Sequence, residues 1–217
     1  MRAPFPRWRA MGDAALLVEL GDEIDERLNA RVHALAAQLA TAPGLECIPG
    51  YASLLVEFDP DILSQEKLET AIAHALEQPM AAAQAKPRVV EIPTRYGGEW
   101  GPDLDFVARR NGLTPAQVVE IHTRCPLRVF MLGFTPGFPY IGPLPAKIAA
   151  PRLETPHTHV PAGAVGIAGR QTGIYPRESP GGWQIIGHTD LILFDPTRDP
   201  PTLLAPGDYV RFVAVDR

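Results

Sequence analysis

The residues able to do chemistry are concentrated between Phe134 and Thr189. That stretch reads GFTPGFPYIGPLP, then PRLETPHTHVPAGAVGIAGRQTGIYP, then SPGGWQIIGHT. His157 and His159 alternate, so a strand would put both imidazoles on one face, a spacing found at metal sites. A third ligand is required. Glu178 and His188 are available in sequence, but nothing brings them there, so no metal is expected at this pair. Ser179-Pro180-Gly181-Gly182-Trp183 is a tight turn in which two glycines let backbone N–H groups converge on an anion, with the Trp183 indole beside them for a planar ligand. A plain β-turn carrying a core tryptophan accounts for the same residues. Gln171, Thr172, Tyr175 and Arg170 offer an amide, a hydroxyl, a phenol and a guanidinium within one loop, a set suited to a small ligand with amide and carboxylate groups. Phe134, Phe138 and Tyr140 supply a facing wall. The catalytic candidates are His188, Tyr175 and Arg152, with His188 first for proton transfer or hydrogen bonding. The substrate contacts expected are Phe134, Pro136, Gly137, Phe138, Gln171, Thr172, Gly181, Gly182 and Trp183. No G-x-x-x-x-G-K-[ST] phosphate loop and no G-x-S-x-G elbow occurs, which excludes P-loop nucleotide chemistry and argues against the α/β-hydrolase arrangement.

Positioning these groups falls to stiff loops on a β scaffold. Glycine admits positive φ and close backbone approach, and proline fixes φ. Apolar runs at Val165–Ala168, Trp183–Ile186 and Leu191–Phe194 read as strands between the loops, and GDYVRFVAVD as a final strand. Short strands punctuated by Gly and Pro predict a closed or nearly closed barrel. Two helices precede it, one from about Asp103 to Arg110. The other starts at Thr114 with Pro115 at its first position and Gln117 closing a capping box.

The first third is patterned differently. Leu16, Val18 and Leu20 share a strand face, and Asp22 is placed to cap a helix with the stripe Ile24, Leu28, Val32, Leu35 and Leu39. Strands follow at Leu45–Tyr51 and Ser53–Asp59, then a helix capped by Ser64. A last strand at Val89–Pro93 completes a β-α-β-β-α-β order, that of a ferredoxin-like α+β sandwich. Gln78–Pro87 reads as the connector between this unit, residues 1–86, and the barrel, residues 87–217.

The chain has 217 residues and a net charge of −5. Positive charge is nearly all arginine with no basic stripe, which argues against a nucleic-acid partner. No run of about 18 apolar residues is present, so no membrane partner is expected. The N-terminus lacks the apolar core of a signal peptide, and Cys47 and Cys125 are far apart and read as small buried residues. A cytoplasmic protein without disulfides follows as the expectation.

Several long motifs together carry a resemblance. GFTPGFPYIG, the VPAG segment, GRQTGIYP and SPGGWQIIGHT resemble the family of 5-oxoprolinase B subunits, which includes KipI-type kinase inhibitors and carries the older label allophanate hydrolase subunit 1. IPGYASLLVEFDP, PTRYGGEWGPDLDFVA, VVEIH and LFDPTRDPPTLLAPGDYVRF extend the likeness over nearly the whole chain. The resemblance implies a ferredoxin-like N-terminal domain and an all-β cyclophilin-like C-terminal barrel, the latter similar to a carboxyltransferase domain of urea carboxylase. It implies a heteromer with 5-oxoprolinase subunits A and C that opens 5-oxo-L-proline to L-glutamate with ATP as co-substrate. The alternative it carries is a regulator that inhibits a sensor histidine kinase. Two positions depart from the family pattern. His157 stands where Arg is frequent, and Ala164 follows the VPAG glycine where Ser is frequent. A carboxylate or phosphate held by that Arg would be held more weakly by His157, and with pH dependence.

Overall fold

The structure is a computed structural model and describes residues 4–78 and 88–216. The chain divides into two compact units, Met1–Lys86 and Pro87–Arg217, each with its own apolar core. The connector expected at Gln78–Pro87 lies, apart from Gln78, outside the described residues.

The first unit is built from β1 (Arg7–Ala10), β2 (Ala15–Glu19), α1 (Glu26–Leu39), β3 (Leu45–Pro49), β4 (Ser53–Phe58) and α2 (Gln65–Glu77). Its sheet has the order β1-β2-β4-β3 and is antiparallel throughout. Alternation sends Leu16, Val18, Leu54, Val56 and Phe58 to one face, where Val32, Leu35 and Leu39 of α1 and Leu68 and Ile72 of α2 cover them. The cap of α1 is Asp25 rather than Asp22. The Asp25 carboxylate accepts from the backbone N–H groups of Arg27 and Leu28, which leaves Ile24 ahead of the helix and exposed.

The larger correction concerns Val89–Pro93. These residues do not close the first sheet. They begin β5 (Val89–Tyr96), which belongs to the barrel. The place beside β2 is taken by β1, with Arg7 paired to Glu19 across the two strands. The reason is packing: β5 buries Ile92 and Thr94 in the second unit, and Tyr209–Ala214 (β13) pairs with it in parallel register along six residues.

Between β5 and β13 lie α3 (Leu104–Arg110), α4 (Pro115–Thr123), β6 (Leu127–Leu132), β7 (Pro139–Gly142), β8 (His157–Val160), β9 (Ala164–Ala168), β10 (Gln171–Ile174), β11 (Ser179–Gly181) and β12 (Gln184–His188). The barrel closes in the order β10-β7-β6-β13-β5-β12-β9, and β8 pairs with β11 in a separate ribbon. The Thr114–Gln117 capping box forms at the start of α4. The apolar run Leu191–Phe194 is not a strand; it contributes one bridge, Phe194 to Thr202. Prolines at 196, 200 and 201 remove the donors a ladder would need there. Cys125 is exposed, unlike the expectation, and Cys47 is half-buried.

A polar chain runs through the barrel. Thr172 Oγ1 donates to the Gly166 carbonyl at 2.9 Å, so it accepts from His122 Nε2–H at 3.0 Å. His122 Nδ1 in turn accepts from the Tyr96 hydroxyl at 2.7 Å. His122 is 1% exposed, and burial pushes its pKa down from 6.5 to about 3. Between those values the unfolded chain binds a proton that the folded barrel does not. Stability from this group is therefore complete above pH 6.5 and is lost as pH falls toward 3, at up to about 1.4 kcal/mol per pH unit. Urea unfolding of the barrel, followed through Trp100 and Trp183 in a Trp8→Phe background at pH 7, 5.5 and 4.5, should show this slope. His122→Gln should flatten it.

Candidate functional site

One cleft of about 260 Å³ is lined by Phe134, Phe138, Tyr140, Arg152, Pro156, Tyr175 and the run Pro180–Trp183. Its floor is an aromatic cluster. Phe138, 2% exposed, is edge-on to Phe134, Tyr140, Tyr175 and Trp183 at centroid distances of 5.0 to 5.5 Å. The rim carries Arg152, the sole charged residue of the lining among the described residues. Burial raises the pKa of both Tyr140 and Tyr175, and the Arg152 guanidinium opposes that shift at each. Both phenols therefore stay neutral donors beside a fixed positive charge. Such a wall fits a small ring compound bearing a carboxylate or another anionic group.

Local sequence explains the shape. A Cβ on Gly181 would lie 2.3 Å from the Tyr175 hydroxyl oxygen, so only glycine lets that phenol lie against the turn. On the opposite wall, Phe134 has φ 65° and a Thr135 N–H to Gly133 carbonyl bond of 2.8 Å. A hydrogen bond spanning two residues around a positive φ is a γ-turn of the strained hand. It holds the Phe134 ring 63% exposed at the mouth of the cleft.

The sequence-derived candidates separate into four places. Tyr175, Arg152, Phe134, Phe138, Gly181, Gly182 and Trp183 meet in the cleft. Pro136 and Gly137 do not line it; Gly137 packs against Leu193 and Phe194. Thr172 is fully buried in the polar chain of the barrel, and Gln171, half-buried at the start of β10, pairs with Ala168. Arg170 bonds the Leu144 carbonyl.

His188 lies in a second groove, of about 190 Å³, lined by Glu99, Trp100, Pro102, His157, His159, Val160, Pro161 and Ile185 besides itself. Its Nε2–H donates to the Ala162 carbonyl at 2.8 Å, and its Nδ1 is enclosed without a hydrogen bond, 3.6 Å from Asp190 Oδ1. The contact to Ala162 depends on Gly163, at φ 84°, where a Cβ would fall 2.8 Å from His188 Nε2. His157 and His159 take different carboxylates, Asp103 and Glu178. Among the described residues no three His, Cys, Asp or Glu side chains converge as a metal ion would require. Trp100, Asp103 and His122 were not singled out as functional residues by sequence reasoning, although the motifs PTRYGGEWGPDLDFVA and VVEIH contain them.

The closed barrel with this loop-built cleft falls in a known class: residues 6–204 match the family described as carboxyltransferase domain, subdomain C and D. The chain is 45% identical to the 5-oxoprolinase B subunit of Bacillus subtilis (strain 168), over 94% of this chain and 91% of that protein. It belongs to the family of 5-oxoprolinase B subunits. The crystal structure of TTHA0988 is similar at 41% identity and a TM-score of 0.83, covering 94% of this chain and 40% of that one. The Kluyveromyces lactis urea amidolyase is similar at 27% identity and a TM-score of 0.78, covering 96% of this chain and 15% of its own. Among the described residues no helix is long and apolar enough to cross a membrane.

Proposed function

We propose that this protein is the B subunit of an ATP-dependent 5-oxoprolinase, which opens 5-oxo-L-proline to L-glutamate together with subunits A and C in the cytoplasm. The observation that carries this reading is the near full-length, 45% identity to a protein named as a 5-oxoprolinase B subunit. The aromatic cleft supports it. A five-membered lactam presents a flat, largely apolar ring, which the Phe138 cluster matches, and a carboxylate, which Arg152 matches. Tyr175 and Tyr140 donate to the lactam or carboxylate oxygens. An unstrained lactam is a poor electrophile, so the phosphoryl group of ATP supplies the activation that makes its ring carbon open to water. One guanidinium in the cleft is too little positive charge for a triphosphate with its metal ion, so ATP is assigned to a partner protein. On the same reading the barrel is cyclophilin-like. The first unit is a ferredoxin-like variant whose edge strand comes from the N-terminal side.

Glutamate release from 5-oxo-L-proline and ATP, with this chain alone and with subunits A and C, tests the proposal. Turnover is expected only when all three are present, with this chain copurifying with the C subunit. Full turnover by the isolated chain, or none by the three together, would overturn it.

A further inference from the structure

We propose that the groove between Trp100 and the β8 histidines is a second ligand site on the barrel, which takes a small planar cation with N–H donors, an amidinium or guanidinium compound. It shares no lining residue with the aromatic cleft and is opposite to it in fixed charge. Among the described residues the cleft is lined by one arginine and no carboxylate, the groove by Glu99 and no lysine or arginine.

The donor and acceptor inventory sets the ligand class. Asp103 has a side chain only 16% exposed and is held in place by the Ile185 backbone N–H at 2.7 Å. It accepts His157 Nε2–H at 3.0 Å. With that nitrogen committed to Asp103, Nδ1 is the ring atom His157 has left for a ligand, and in the imidazole form it accepts. Glu99 accepts as well. Pro102, Val160, Pro161 and Ile185 supply apolar surface. His188, with Nε2 on Ala162, contributes its ring, tilted against the Trp100 indole at 5.0 Å. Two acceptors over an apolar base with an indole wall suit a flat donor-rich cation.

The protein already uses this recognition once. The Arg95 guanidinium sits 4.2 Å from the Trp100 ring centroid. Arg95 is also ion-paired to Asp190, which ties it down outside the groove lining instead of letting it supply the cation itself.

Titration of the full chain with benzamidine, benzamide and benzoate, read by 1H–15N NMR, tests the site. Benzamidine should bind saturably and shift the Trp100 indole N–H and the His157 resonances. Benzamide should bind at least threefold more weakly, and benzoate should leave these signals in place. His157→Leu should weaken benzamidine about tenfold. Glu99→Gln, a surface change that does not threaten the fold, should weaken it severalfold. Benzoate binding as tightly as benzamidine would overturn the proposal. So would shifts confined to Tyr140, Tyr175 and Trp183, or unchanged affinity in Glu99→Gln with the spectrum otherwise native. None of these readouts depends on oxoprolinase activity, so the inference stands or falls apart from the function proposed above.

Discussion

Arg152→Ala should lower kcat/KM for 5-oxo-L-proline in the three-protein assay by roughly 10- to 150-fold, the factor that follows from losing a hydrogen bond to a charged group. Arg152 is exposed and takes no part in the apolar core, so the melting temperature should stay within about a degree or two of the wild type. Most of the loss should fall in KM if the guanidinium holds the carboxylate, since that contact is equal in ground and transition states. Arg152→Lys should recover part of the affinity, because it restores the charge without the planar fork. Steady-state kinetics over a range of 5-oxo-L-proline concentrations, with calorimetric melting of each variant, make the comparison. Wild-type kinetics in Arg152→Ala would remove the cleft from the reaction.

Phe138→Ala should cost about 3–5 kcal/mol of barrel stability, the range for truncating a buried phenylalanine. The ring touches four other aromatic rings and also fills the space above Gly173, where a Cβ would come within 2.8 Å of it. No neighbour can collapse into the void easily, because the Tyr175 phenol lies tight against Gly181 and Tyr140 lies on a barrel strand. Phe138→Leu should lose less, since it retains more of the volume. Denaturant unfolding of both variants measures the difference. A cost below about 1 kcal/mol for the alanine variant would mean that the cleft is not a packed element.

Much of the barrel is legible in the chain because Gly and Pro punctuate strands whose apolar residues are nearly continuous, as in Ala164–Ala168. The capping box at Thr114 is legible because it depends on four adjacent residues. The assignment of Val89–Tyr96 is not legible, because its partner Tyr209–Ala214 lies more than a hundred residues away and either unit would accept a strand of that pattern. The cleft is half legible. Tyr175, Phe138, Trp183 and Arg152 announce themselves by type. His188 and Thr172 do not reach the cleft: a register shift between Ile185 and Gly187 interrupts the alternation of β12 before His188, and alternation along β10 turns Thr172 inward. One goes to the Trp100 groove, the other to the barrel interior. The Asp103–His157 pair joins residues 54 apart, and no local pattern signals it.

The position of β13 has a consequence for how the protein is made. This strand, Tyr209–Ala214, lies between β5 and β6 in the closed sheet. Until it emerges from the ribosome, β5 and β6 each present an unpaired backbone edge, and such edges template pairing with other chains. Synthesis at about 5–20 residues per second leaves β5 waiting several seconds for its neighbour. The first unit is spared this wait, because the four strands and two helices among its described residues all precede residue 78. Biogenesis is therefore split in time: an early unit that can finish while translation continues, and a barrel whose exposure to misassembly lasts until its final strand arrives.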